Sequence, residues 1–246
     1  MDIYLSTIGK NAAALAREYG FGIEIAEFSC AVNMDEDFER WDELTRGNLS
    51  GIKNRIFHAP FNELCPAAID PLIARVTKGR LEQAYRLMRR YEINKMIVHS
   101  GYIPNLYFRD WFAERSSVFW RDFLSDKPAD FSLFLENVLE EDPEMLISII
   151  EKTNDERFRL CLDIGHAGGR ASILPVSEWI DVSAPYLKHV HVHNNDHKSD
   201  LHDPPGKGLI DMKAAITRIT DLRPDTSYTL ETEDLSAAIA WLKTYK

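Results

Sequence analysis

Cysteine is scarce in this chain. Only Cys30, Cys65 and Cys161 occur among 246 residues. The count is odd and no CxxC spacing is present, which argues against a disulfide framework and predicts reduced thiols in a reducing compartment, the cytoplasm. Long apolar runs are absent too. No stretch approaches the roughly 18 residues that a membrane span needs. The start, Met1-Asp2-Ile3-Tyr4-Leu5, has no basic segment ahead of an apolar one, so a signal peptide is not expected. Positive charge is in deficit: 29 Lys and Arg against 39 Asp and Glu give a net charge of −10. Such a chain matches a phosphate backbone poorly, so no nucleic-acid partner is expected. There is no Pro/Gly/Ser-rich linker and no low-complexity tract, which predicts one domain over residues 1–246.

What is present is ordinary globular material, 45% hydrophobic and 28% charged, arranged as short apolar runs between amphipathic stretches. The runs predict strands near Ile3–Ser6, Gly22–Phe28, Arg55–His58, Lys95–His99, Phe131–Glu136, Phe158–Asp163, His189–His193 and Tyr228–Glu231. Between them the apolar residues follow a helical period. Leu81, Ala84, Tyr85 and Met88 do so, as do Met212, Ala215, Ile216 and Ile219, and Leu235, Ala238, Ile239 and Leu242. Eight strands alternating with eight helices predict right-handed βαβ crossovers and a parallel sheet closed into an α/β (β/α)8 TIM barrel. The polar interval from Asn194 to Leu209 reads as a long loop, and such loops are usually functional.

In a parallel barrel the active site lies at the C-terminal ends of the strands. Successive strands here end in His58-Ala59-Pro60, His99-Ser100-Gly101, Glu136-Asn137, Asp163-Ile164-Gly165-His166, His191-Val192-His193-Asn194 and Glu231. Asp200-Leu201-His202 lies in the loop after the seventh strand. A single histidine at a strand end is usually a structural hydrogen-bonding group. Six strands delivering imidazoles and carboxylates to one rim are different, because buried charges must be paired or coordinate metals. The pattern therefore predicts a divalent-metal site. The spacing puts Asp163 at a strand end and His166 in the loop that follows. The two-residue period sets His189, His191 and His193 on one face of the seventh strand, with His189 deepest and His191 or His193 at the rim.

These residues resemble the xylose-isomerase-like barrel superfamily, which includes endonuclease IV and the sugar phosphate isomerases and epimerases. In the isomerase and epimerase branch the resemblance implies one divalent metal, Mn or Co, held by Glu136, Asp163, His191 and Glu231. The two glutamates would act as acid and base, and His166 would touch substrate. His191 is the ligand under this resemblance because His191-Val192-His193-Asn194 fits the branch's pattern on that strand. The endonuclease IV branch implies three zinc ions and adds His58, His99, His166, Asp200 and His202, all of which are filled here. Gly206-x-Gly208 fits the superfamily as well.

The extra ligand types are surplus to proton transfer beside a carbonyl, whereas a multi-metal site suits a phosphoester. The sequence therefore predicts hydrolysis of a phosphoester in a small molecule, such as a cobamide-type phosphodiester, with two or three zinc ions. A sugar or sugar-phosphate isomerase or epimerase is the alternative. Glu136 and Glu231 are expected to be catalytic, and His193, Lys207 and Arg170 to touch a phosphorylated substrate. Exposed helix faces leave a homo-oligomer open.

Overall fold

The strands are four to six residues long and draw on Ile, Val, Leu, Phe and Tyr, residues that fit a pleated, half-buried surface. A computed structural model describes residues 1–245. Its strands are β1 (Asp2–Ser6), β2 (Gly22–Ile25), β3 (Arg55–His58), β4 (Lys95–His99), β5 (Ser132–Glu136), β6 (Phe158–Asp163), β7 (Leu187–Val192) and β8 (Ser227–Leu230). They are parallel, hydrogen-bond in sequence order, and close where β8 pairs with β1. The predicted (β/α)8 TIM barrel is the observed fold, with boundaries displaced by a few residues. The largest difference is in β2, which ends at Ile25 because Ala26 and Glu27 turn to hydrogen-bond the Thr7 hydroxyl.

The helices are α1 (Ala12–Tyr19), α2 (Phe38–Leu49), α3 (Pro71–Arg90), α4 (Arg109–Leu124), α5 (Glu144–Thr153), α6 (Ile164–Ala167), α7 (Val176–Ser183), α8 (Met212–Leu222) and α9 (Leu235–Tyr245). Nine α-helices among the described residues exceed the expected eight. The extra one is α6, a single turn where the sequence predicts a loop. Its cause is local: the Asp163 side chain accepts a hydrogen bond from the His166 backbone N–H at 2.6 Å, capping the turn. None of the helices among the described residues is long and apolar enough to cross a membrane. All three cysteines are free.

Alternation along the strands sorts their side chains into two layers. Leu5, Ile23, Phe57, Val98, Leu135, Leu162, Val190 and Val192 pack outward with the helices in the main core. Tyr4, Ile56, Ile97, Phe134 and Cys161 form a separate cluster inside the barrel. Two residues further along, the inward positions become His58, His99, Glu136 and Asp163. The apolar plug thus supports a polar mouth.

Register decides which of those polar residues become neighbours. His99 lies opposite Glu136. Between β6 and β7 the ladder skips a residue, so Cys161 faces His189 and Asp163 faces His191. Gly165, in α6, lies beneath the His193 ring, and a Cβ there would come within 2.0 Å of His193 Cε1. Gly165→Ala is therefore expected to destabilise the barrel by about 1–3 kcal/mol through overpacking. Urea unfolding measures this, and an unchanged midpoint would show that the ring is free to move.

Candidate metal centre and active site

Every strand from β3 to β8 delivers a titratable side chain to the same mouth. His58 ends β3, His99 ends β4, Glu136 ends β5 and Asp163 ends β6, followed by His166 in α6. His191 is the penultimate residue of β7, and His193 lies just beyond that strand. Glu231 directly follows β8. Asp200 and His202 reach the mouth from the long loop, which an antiparallel bridge between Asn194 and Asp203 folds back. Asn194 organises that loop. Its side chain bonds the backbone of Pro205 and Ile210, and Gly208, at φ 130°, passes where a Cβ would strike Asn194 Oδ1.

The ligand-type atoms gather in overlapping groups, each with its atoms within 4.8 Å of one another. His58, His99 and Glu136 form one group, and Glu136, Asp163, His191 and Glu231 a second. His166, His193, Asp200 and His202 form a third. Glu136 belongs to two of them through different oxygens. Oε2 lies 3.3 Å from Nε2 of both His58 and His99, while Oε1 lies 3.2 Å from His191 Nδ1. His191 Nδ1 is also 3.0 Å from Glu231 Oε2 and 3.7 Å from Asp163 Oδ2. In the third group, Asp200 Oδ2 lies 3.3 Å from His166 Nε2 and Oδ1 3.3 Å from His202 Nε2.

Backbone carbonyls aim three of these imidazoles. Nδ1 of His58 faces the carbonyl of Ala59 at 3.0 Å, that of His166 the carbonyl of Asn137 at 2.9 Å, and that of His202 the carbonyl of Glu231 at 3.0 Å. Each Nδ1 is thereby the donor, and each Nε2 is left for the mouth. Asn137 ties the ends of β5 and β6 together, donating to the Asp163 carbonyl and accepting from the Asp163 N–H. Glu136 Oε2, His191 Nδ1, His193 Nδ1 and Glu231 Oε2 are buried without a hydrogen-bond partner. Buried polar atoms rarely stay unpaired. Converging imidazole and carboxylate atoms of this kind fit a divalent cation.

The expected residues divide by location. His58, His99, Glu136, Asp163, His166, His191, Asp200, His202 and Glu231 all meet at the mouth. His193 joins them, so His191 and His193 both face inward but enter different groups. Lys207 stands at the edge, exposed and paired with Asp203 at 2.6 Å, lining a cleft of about 470 Å³ that also includes His202. Arg170 is exposed on the loop after α6, and no ion pair among the described residues includes it. Two further residues are not legible in the sequence. Phe61 stacks on His99 with ring centres 4.2 Å apart. Glu24, fully buried on β2, lies 3.2 Å from His191 Nε2. Its one signal is a solitary acid between two isoleucines, Ile23-Glu24-Ile25.

A sequence model of the xylose isomerase-like TIM barrel family matches residues 13–245. The chain belongs to that family. Among curated proteins, an uncharacterised protein of Methanocaldococcus jannaschii is 25% identical over 75% of this chain, which spans 66% of that relative's length. Two solved structures superpose over the whole chain with TM-scores of 0.78. One is a D-tagatose 3-epimerase-like protein, 20% identical and covered over 97% of its length. The other is the TTHB071 protein from Thermus thermophilus soaked with ZnCl2, 23% identical and covered over 98%. A D-allulose 3-epimerase from Methylomonas sp. in complex with D-allulose superposes over the whole chain and 97% of its own length, at 14% identity and TM-score 0.76. At these identities the structures show the shared fold.

At the mouth of this xylose isomerase-like barrel the carboxylates and imidazoles hold one another's charge. Burial alone would raise Glu136 and Asp163. The imidazoles beside them, His191 first for Glu136 and His166 first for Asp163, instead hold both carboxyls below their ordinary range. The same coupling runs in reverse for the histidines. Burial opposes protonation of His166 and His202, yet the carboxylates around them, chiefly Asp163 and Asp200, push the two up to about 10 and about 9. In metal-free protein these two imidazoles therefore contribute stability that is complete below their ordinary value near 6.5. It is lost as pH rises through about 9 to 10. A metal needs the neutral ring. Zinc binding at pH 7 is thus expected to release protons, with apparent affinity rising between pH 6 and 9. Calorimetry in buffers of different ionisation enthalpy checks this, and a buffer-independent heat would contradict it.

Proposed function

We propose that the chain is a divalent-metal hydrolase acting on a phosphoester in a small molecule, for example a cobamide-type phosphodiester. His58, His99, Glu136, Asp163, His166, His191, Asp200, His202 and Glu231 would hold two or three zinc ions. The observation that carries this reading is the division of Glu136, with one oxygen in the His58/His99 group and the other beside His191. A carboxylate so placed is suited to join two cations. Charge supports the same reading. Three divalent ions turn a site of four carboxylates net positive, which attracts a phosphoester, and one ion leaves it net negative.

Divalent ions there would supply Lewis acidity and neutralise charge developing on the phosphoryl oxygens. The residues around them do the rest. Glu231, buried at the mouth, would orient the attacking water through the oxygen it does not give to a cation and take its proton, which would pass to the leaving alkoxide as the ester P–O bond breaks. His193, 2.9 Å from Asp163, and Lys207 border the substrate, whereas the exposed position of Arg170 gives it at most a peripheral role. A small molecule is favoured over nucleic acid by the net charge of −10. Loops on this face also expose Ile103, Leu106, Phe108, Leu139 and Leu201.

The solved relatives support a second reading more than the first: a sugar or sugar-phosphate isomerase or epimerase. A D-tagatose 3-epimerase-like protein and a D-allulose 3-epimerase share this fold at TM-scores of 0.78 and 0.76. In that case Glu136, Asp163, His191 and Glu231 hold one manganese or cobalt ion. The two glutamates then exchange a proton beside the substrate carbonyl, and His166 contacts the sugar.

The double variant Asp200→Ala, His202→Ala separates the readings. Hydrolysis predicts that zinc-loaded protein cleaves bis(p-nitrophenyl) phosphate and that the double variant loses at least about 100-fold of that rate, with one fewer zinc per chain. Isomerisation predicts deuterium exchange at a ketohexose carbon in manganese-loaded protein, largely retained in the variant. Retained exchange without phosphodiester cleavage would replace the first reading with the second.

A further inference from the structure

Beneath the proposed metal ligands lies a buried polar chain that neither reading uses. Glu24, on β2, is fully buried and reaches across the barrel to β7 and β8. Thr229 Oγ1 donates to Glu24 Oε2 at 2.6 Å. His191 Nε2 lies 3.2 Å from both Glu24 oxygens. His189 Nε2 lies 2.9 Å from Thr229 Oγ1 and 3.5 Å from Glu24 Oε2, and its Nδ1 lies 2.7 Å from Ser227 Oγ.

The hydrogen positions in this chain are constrained. An ionised carboxylate only accepts, so Thr229 spends its one proton on Glu24 and must accept from His189. The same carboxylate requires a donor at His191 Nε2. The opposite ring nitrogen, Nδ1, faces Glu231 at 3.0 Å, Glu136 at 3.2 Å and Asp163 at 3.7 Å, and is a buried atom without a hydrogen-bond partner. Once Nδ1 gives up its proton to a cation, a ring whose remaining proton is held on the Glu24 side presents its lone pair to the space those three carboxylates enclose.

We propose that Glu24 is a positioning residue that fixes His191 with Nε2 protonated and Nδ1 aimed at the mouth, and that Thr229 holds Glu24 in place for this task. The proposal rests on the metal reading and adds to it a residue from a strand whose ligand-type side chains that reading leaves out. Glu24 also brings a carboxylate oxygen within 4.8 Å of ligand atoms of His58 and Glu231, but both its oxygens face His191 Nε2 and one also accepts from Thr229, so it is assigned to the imidazole and not to the cation. Its effect passes through the orientation and basicity of one imidazole, as partners of metal-bound histidines commonly act. A carboxylate that merely filled the barrel would affect folding and leave metal affinity alone.

The test is zinc affinity, measured by chelator competition on the full chain, with urea unfolding of the metal-free protein alongside. Glu24→Gln keeps the shape but turns an amide N–H₂ toward His191 or Thr229. The expected result is a zinc affinity lower by about 10–100-fold. In the zinc-loaded unaltered protein, the His191 proton is expected on Nε2 in long-range ¹H–¹⁵N spectra. Thr229→Val removes one donor to Glu24 and leaves His191 its acceptor, so a smaller loss of about fivefold is expected. Should Glu24→Gln fail to fold, Thr229→Val decides alone. Zinc affinities within about twofold of the unaltered protein in every folded variant would overturn this inference and leave the metal reading standing. Failure of the unaltered chain to bind zinc at all would overturn both.

Discussion

The structure turns on the convergence of buried carboxylates and imidazoles at one end of the barrel. Glu136, Asp163 and His191 are almost wholly out of water, and Glu231 and His58 nearly so. Desolvating such charges costs several kcal/mol each unless a counter-charge offsets it. The protonated histidines supply part of that counter-charge, and they do so by occupying the atoms that would otherwise bind a cation. Proton and metal therefore compete for the same nitrogens. That competition links the fold, the raised imidazoles and the proposed chemistry.

Barrel geometry makes the convergence possible at low conformational cost. Alternation places an apolar plug of Ile56, Ile97, Phe134 and Cys161 below the mouth, so the polar layer rests on a packed floor. Register then pairs His99 with Glu136 and Asp163 with His191. Backbone carbonyls and the Asn137 amide lock the rings and strand ends in orientation. The outer group is built differently. Asp200 and His202 come from a loop, and the Asp200 side chain is half exposed. Its cohesion depends on Asn194 and on the close passage of Gly208.

Much of this is legible in the sequence because the signals are local. An apolar run followed by His or Asp marks a strand and the residue at its tip together, which is why β3, β4 and β6 are found at their expected bounds. The exceptions have physical causes. The α6 turn reads as loop because four residues show no period, and a single side-chain cap decides them. Glu24 escapes a search of strand ends because it lies one residue inside its strand. Its role depends on contacts with β7 and β8, which come near β2 only because the barrel closes through β1 and which no spacing rule reports. Phe61 against His99 is likewise a meeting of the loop after β3 with the end of β4. Arg170 and Lys207 stand out in the sequence by charge alone, and charge does not fix where a loop side chain points.

The central claim is that these side chains gather to hold divalent cations. The most direct test is anomalous scattering from crystals of the full chain soaked in zinc. The account predicts peaks within about 2.0–2.2 Å of the His and carboxylate atoms, one between Glu136, Asp163, His191 and Glu231 and at least one more in a flanking group. Zinc found only on exposed surface residues, with the mouth free of any peak at saturating metal, would contradict it.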